Sequence, residues 1–173
     1  MSKIRVGFDF DGVIVNKPPL ISKKLVEKLF KGCRKGLHYR FPGFKIEQLI
    51  RKLSHFYLFR PPFRKNLELI KELGKKEGYE LYLVTSRYSF LESETYNWIK
   101  KRGLNNIFSK YILNTKDEQP HIFKKETLKK LNLDYYFEDD PLIVKYLGEE
   151  VGRLKVLLVT KDGDKNLRKM VSQ

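Results

Sequence analysis

Apolar positions along this 173-residue chain fall into short runs of two kinds, and each kind predicts an element. Ile4, Val6 and Phe8 form a β-branched and aromatic run punctuated by Gly12, which predicts a short buried strand rather than a helix. Pro18-Pro19 ends that extended segment. Ser22 can then cap a helix whose apolar positions Leu25, Val26, Leu29 and Phe30 recur at threes and fours, with Gly32 near its end. Cys33 to Phe44 is basic and aromatic with glycines at 36 and 43, so it reads as a loop. Ile46, Leu49, Ile50 and Leu53 predict a second amphipathic helix, followed by an aromatic run from His55 to Arg60 and by Pro61-Pro62.

From Phe63 the pattern becomes regular. It predicts a helix over 63–76, a strand over 80–87, a helix over 90–102 containing Trp98, a short strand over 107–113 and a helix over 121–131. A strand from Tyr135 runs into Glu138-Asp139-Asp140, and a helix over 142–149, a strand over 155–160 and a helix over 164–171 complete the chain. Strands alternating with helices give a parallel sheet covered on both faces. The two short helices between proline pairs break that alternation. The expectation is therefore an α/β core formed by residues 1–16 and 61–173, with residues 17–60 inserted after the first strand as a small helical cap.

Charge sharpens the picture. The net charge is +15, and fourteen of the 36 Lys and Arg but two of the 21 acids lie between Lys17 and Lys65. Most of the positive field thus belongs to the cap segment, which implies a polyanionic partner: a phosphorylated metabolite, nucleic acid or an anionic membrane surface. The cap aromatics Phe41, Phe44, Phe56, Tyr57 and Phe59, interleaved with Arg40, Arg51 and Arg60, suit either base stacking or the cap's own core. His38 and His55 have no Cys or carboxylate at ligand spacing, which argues against a histidine metal site. A single cysteine, Cys33, makes no internal disulfide. With the charged start Met-Ser-Lys-Ile-Arg and no apolar run near eighteen residues, the expectation is a cytoplasmic protein without a membrane span.

Four polar clusters sit where apolar strands end or a helix begins: Asp9/Asp11, Thr85/Ser86, Lys124/Lys125 and Glu138/Asp139/Asp140. In an extended backbone Asp9 and Asp11 point the same way with Phe10 turned aside. Paired carboxylates repel unless a cation intervenes, and Mg²⁺, which takes carboxylate and phosphate oxygens, is a natural neutraliser. By itself Asp-x-Asp-Gly also describes a turn. Likewise Asp140-Pro141 describes a helix N-cap followed by proline in the first turn.

The motifs Asp-Phe-Asp-Gly-Val, Leu-Val-Thr-Ser-Arg, a downstream lysine and Phe-Glu-Asp-Asp-Pro, in this order across essentially the whole chain, resemble the haloacid dehalogenase superfamily of phosphatases. The stretch Gly-Tyr-Glu-Leu-Tyr-Leu-Val-Thr-Ser-Arg with Trp98 downstream looks like its deoxyribonucleotidase branch. The resemblance implies a Rossmann-like, doubly wound sheet with the first strand central and a Mg²⁺-dependent phosphomonoesterase acting on nucleotides or another small phosphorylated metabolite. It casts Asp9 as nucleophile and Asp11 as acid and base. Thr85, Ser86 and Lys124 would bind the phosphoryl group, with Lys125 and Lys116 as alternatives to Lys124. Asp9, the backbone carbonyl of Asp11, and Asp139 or else Asp140, would ligate the metal. A polynucleotide end phosphatase is the neighbouring reading, and a non-catalytic protein binding RNA or anionic membranes is the reading of another class.

Overall fold

The computed structural model describes residues 3–16 and 36–172. Five strands form one parallel sheet: β1 (Ile4–Phe8), β2 (Tyr79–Tyr88), β3 (Lys110–Asn114), β4 (Tyr135–Glu138) and β5 (Lys155–Leu158). Their order is β3-β2-β1-β4-β5, so the first strand is central, as expected. Val6 pairs with Leu81 and Tyr135, and Phe8 with Leu83 and Phe137. Gly7 has a packing reason: a Cβ there would lie 2.5 Å from the Leu133 side chain and 2.8 Å from the Tyr136 ring.

Helices cover both faces because each carries an apolar stripe. On one face α2 (Arg64–Leu73), α3 (Glu92–Lys101) and α6 (Lys165–Ser172) bury Leu67, Ile70, Trp98 and Leu167 against Val6 and Phe8. On the other, α4 (Pro120–Leu131) and α5 (Pro141–Glu150) bury Leu128 and Leu147 against Tyr82, Val84 and Tyr136. Successive strands run outward from β1 through β2 to β3, and then from β4 to β5 on the other side. The topological switch point therefore lies between β1 and β4, and ligands bind outside the carboxyl ends of the strands at such a point.

Two elements depart from the periodicity. The strand expected over 107–113 starts only at Lys110, because Leu104 to Ile107 closes a turn, with the Ile107 N–H on the Leu104 carbonyl at 3.2 Å. The apolar Ile107 and Phe108 pack against the core instead of extending β3. The helix α1 (Lys45–Ser54) forms as expected, yet Ile46, Leu49, Ile50 and Leu53 are each more than half exposed while Arg51 is buried. Phe44, Phe56 and Phe59 are exposed as well, so these aromatics are not a cap core among the described residues. The physical reason is what α1 lies over: a cavity whose lining includes Asp11, Arg60 and Arg87, so the one side chain that α1 turns into it is Arg51.

The helix expected from Ser22 and the thiol of Cys33 lie outside the described residues. At the boundary, the Asn16 N–H reaches the Pro61 carbonyl at 2.8 Å and the Phe63 N–H reaches the Ile14 carbonyl at 2.8 Å. The chain thus leaves and rejoins the core side by side. Farther along, Tyr39 is pinned to the start of α4: its N–H donates to Gln119 Oε1 at 3.0 Å, and Gln119 Nε2 donates to its carbonyl at 3.1 Å. No helix among the described residues is long and apolar enough to cross a membrane.

Candidate active site

A cavity of about 300 Å³ opens at the carboxyl ends of β1, β2 and β4. Asp9 is the first residue beyond β1 and is only 5% exposed, its N–H bonded to the Phe137 carbonyl at 2.9 Å. A ring of charge meets it from α4. Lys124, on the inner face of that helix one turn before Leu128, is 1% exposed and places Nζ 3.1 Å from Asp9 Oδ1 and 2.5 Å from Glu138 Oε2. Burial pushes the Asp9 carboxyl above its ordinary range, against the pull of Lys124. Burial would lower Lys124, but Asp9 and Glu138 hold it well above its ordinary value. The alternatives to Lys124 are elsewhere: Lys125 points to Glu126 and Glu150 at 3.6 and 3.8 Å, and neither it nor Lys116 lines the cavity.

Asp11 sits one-third exposed between two guanidinium groups. Arg87 grips it with two bonds, Nε to Oδ2 at 2.6 Å and Nη2 to Oδ1 at 2.8 Å, and Arg60 donates Nη2 to Oδ1. Burial opposes ionisation, but Arg87 and then Arg60 outweigh it and hold the Asp11 carboxyl well below the usual carboxylate range. Both arginines are themselves braced. Arg87 lies over the Phe10 ring at 4.5 Å and donates Nη1 to Thr95 Oγ1 at 3.1 Å, while the Arg60 carbonyl accepts the Trp98 indole N–H at 2.7 Å. His55, buried beside them, is driven down to about 3 by burial and by the two positive charges, so it is neutral at physiological pH.

The local fold of β2 explains how Arg87 arrives. Thr85 pairs with Leu113 and Tyr88 with the next residue, Asn114, so the strand bulges over Ser86 and Arg87. Bulges of this kind re-aim side chains next to sites. Ser86 and Arg87 line the cavity; Thr85 does not, being 1% exposed with its Oγ1 accepting the Arg87 N–H at 3.3 Å.

Asp9, Glu138 and Asp139 can each bring a carboxylate oxygen within 4.8 Å of the others. The donors are all oxygens and at least one is buried, which is the chemistry of a hard divalent cation. Glu138 is heavily engaged: Oε2 accepts Lys124, and Oε1 accepts the N–H groups of Asp139 and Asp140 at 3.1 and 3.2 Å. Asp140 serves as the N-cap of α5, accepting the Leu142 N–H at 2.9 Å, and also accepts the Tyr39 hydroxyl at 2.5 Å. The cap reading of Asp140-Pro141 therefore describes what this residue does, and Asp139 is the acid in the cluster.

Gly12 closes the arrangement. Its φ is +78°, and a Cβ there would fall 2.0 Å from Asp139 Oδ2. Gly12→Ala must displace Asp139 and occupy a left-handed conformation, which costs on the order of 1–3 kcal/mol. A lowered unfolding midpoint in a denaturant titration is the expected result.

Sequence reasoning placed Asp9, Asp11, Ser86, Lys124 and Asp139, all of which line this cavity, and Thr85, which stands behind it. It missed the roles of Arg60, Arg87 and Tyr39. Arg87 carried a signal, following two hydroxyl residues at a strand end; Arg60 carried one only as a basic residue among the cap aromatics, and neither its pairing with Asp11 nor that of Tyr39 with Asp140 was legible, since the partners are 49 and 101 residues distant.

No protein-family model matches the chain. A Bacillus cereus protein provisionally named a nucleotidase is 27% identical over 92 residues, covering 53% of this chain and 46% of the relative. An Oceanobacillus iheyensis protein with the same kind of name is 26% identical over 96 residues, covering 56% and 48%. The chain thus spans about half the length of the curated relatives it matches. Among solved structures, a haloacid dehalogenase family enzyme from Bacteroides thetaiotaomicron, determined with magnesium and inorganic phosphate, superposes with a TM-score of 0.59 at 14% identity, covering 95% of this chain and 96% of that one. The fold of this chain is that of the haloacid dehalogenase-like hydrolases.

Proposed function

We propose that the chain is a Mg²⁺-dependent phosphomonoesterase that works through an aspartyl-phosphate on Asp9, with nucleotides or other small phosphorylated metabolites as substrates. One observation carries this reading: Asp9 lies at the switch point of the sheet with a buried lysine 3.1 Å from one oxygen and Asp139 within the same carboxylate cluster. Phosphate monoesters repel an anionic nucleophile, so catalysis depends on positive charge aimed at the phosphoryl oxygens. Lys124 provides part of it. Mg²⁺ held by Asp9, Asp139 and the backbone carbonyl of Asp11 would supply the rest, by neutralising phosphoryl oxygens.

Asp9 attacks phosphorus, an Asp9–phosphorus bond forms and the ester P–O bond breaks. Asp11 gives its proton to the departing alkoxide and afterwards takes one from the water that hydrolyses the aspartyl-phosphate. Clamped by Arg60 and Arg87, Asp11 is in its proton-accepting form. Proton donation therefore requires substrate to draw an arginine away, upon which Asp11 takes up a proton from solvent and holds it for the leaving oxygen. Ser86 faces the phosphoryl group, and Thr85 sets the bulge that presents Ser86 and Arg87. Residues 17–60 act as a cap over the site, a reading supported by the side-by-side exit and return of the chain and by the Arg40, Arg51 and Arg60 side chains that line the cavity.

The test is phosphate release from a panel of nucleotides, sugar phosphates and a 3′-phosphorylated oligonucleotide. Release with Mg²⁺ that EDTA abolishes is expected; release indifferent to EDTA would overturn the metal assignment. The basic 17–65 segment favours a second reading, a polynucleotide end phosphatase. Its mark is loss of oligonucleotide turnover with rising salt, while mononucleotide turnover stays flat.

A further inference from the structure

Two guanidinium groups share one carboxylate on the wall of the cavity. Arg60 and Arg87 are each 6% exposed, and both are paired to Asp11. Beyond that bond, Arg60 Nε is buried with no hydrogen-bond partner among the described residues. The nearby His55 is neutral and donates Nδ1–H to the Arg51 carbonyl at 2.7 Å, so it brings no negative charge. A buried cation in excess of its counter-charge is costly unless something pairs it. Position says what that something is. In the reading above Asp9 stands on the attacking side of phosphorus and Asp11 on the leaving side, so groups that touch the Asp11 carboxylate face the alcohol portion of the substrate.

Building on that phosphatase reading, we infer that Arg60 and Arg87 form a second anion site, selecting phosphate monoesters whose alcohol portion carries its own carboxylate or phosphate. Guanidinium groups present paired N–H donors that match either anion. Arg60 is the residue to test, because it has a donor to spare and joins the inserted segment to the core, whereas Arg87 is bound at both ends of its guanidinium group. Substrate binding then also shifts Arg60 from Asp11 to the second anion, releasing Asp11 for the leaving oxygen.

The experiment compares matched substrates: deoxyadenosine 3′,5′-bisphosphate against deoxyadenosine 5′-monophosphate, and 2-phosphoglycolate against ethyl phosphate. Charge-assisted hydrogen bonds of this kind are worth roughly 10- to 100-fold, so the doubly anionic member of at least one pair is expected to have a kcat/KM higher by that factor, mainly through KM. The pair that shows it identifies the anion as phosphate or carboxylate. In Arg60→Gln the ratio within that pair collapses towards unity, and in Arg60→Lys it is partly restored, which a purely structural role would not produce. Equal kcat/KM within both pairs, or a ratio unchanged in Arg60→Gln, overturns the inference while leaving the phosphatase reading intact. Silence with every substrate in Mg²⁺ overturns that reading instead. Calorimetric binding of the bisphosphate and the monophosphate to the parent and Arg60→Gln then still decides whether the second anion site exists.

Discussion

Asp9→Asn is expected to reduce Mg²⁺-dependent phosphate release by at least about a thousandfold, in kcat rather than KM, while the protein remains folded. Loss of a nucleophile removes the covalent route altogether, and residual turnover reflects binding and electrostatics alone. Stability should move little, and the site explains why. The carboxylate is buried at 5% exposure, and burial already disfavours its charge, so a neutral amide of the same shape relieves desolvation as it gives up the contact with Lys124. Lys124 keeps Glu138 at 2.5 Å as counter-ion. Phosphate-release assays and a thermal melt on one preparation separate the outcomes. Retained activity would remove Asp9 from the role of nucleophile; lost activity with a collapsed melt would show a structural lesion.

The reach of the sequence can be judged from particular residues. β1 was legible because Ile4, Val6 and Phe8 form a short β-branched and aromatic run punctuated by Gly12, and its central place followed from the resemblance alone. Lys124 lies four and seven residues before Leu128 and Leu131, a spacing that puts it on the inner face of its helix, and its burial between Asp9 and Glu138 accords with that spacing. What stayed hidden depends on contacts distant along the chain. Arg60 meets Asp11 only because Pro61 and Pro62 return the chain beside Asn16. The β2 bulge arises from a register shift against β3, so no period in the sequence announces that Ser86, not Thr85, faces the cavity. Helix α1 misleads for a physical reason too: an apolar stripe implies an inward face only where the layer beneath is apolar, and here Arg51 faces a charged cavity.

Lys124→Met is expected to be the most destabilising single change at the site and to abolish activity with it. Methionine fits the volume of the lysine stem, so the contact with the Tyr136 ring is replaced by an apolar one. What is lost is the only ammonium found on Asp9 and Glu138 among the described residues. Removing one partner of a buried ion pair leaves uncompensated charge and costs about 3–5 kcal/mol. For a chain of this size that lowers the melting temperature by roughly 6–20 °C. The pH dependence carries the diagnosis. Without the lysine, burial raises both carboxyls above their unfolded values, so the folded state binds more protons than the unfolded state and stability falls as pH rises. The deficit relative to the parent should therefore be smallest near pH 3, where the carboxyls are largely protonated in the folded and the unfolded state alike, and grow towards pH 7. Melts across that range check it, with Lys129→Ala, at an exposed position of the same helix, as the control expected to stay within about 0.5 kcal/mol of the parent. A pH-independent deficit would mean that Lys124 stabilises the fold by packing and not by pairing with the carboxylates at the switch point.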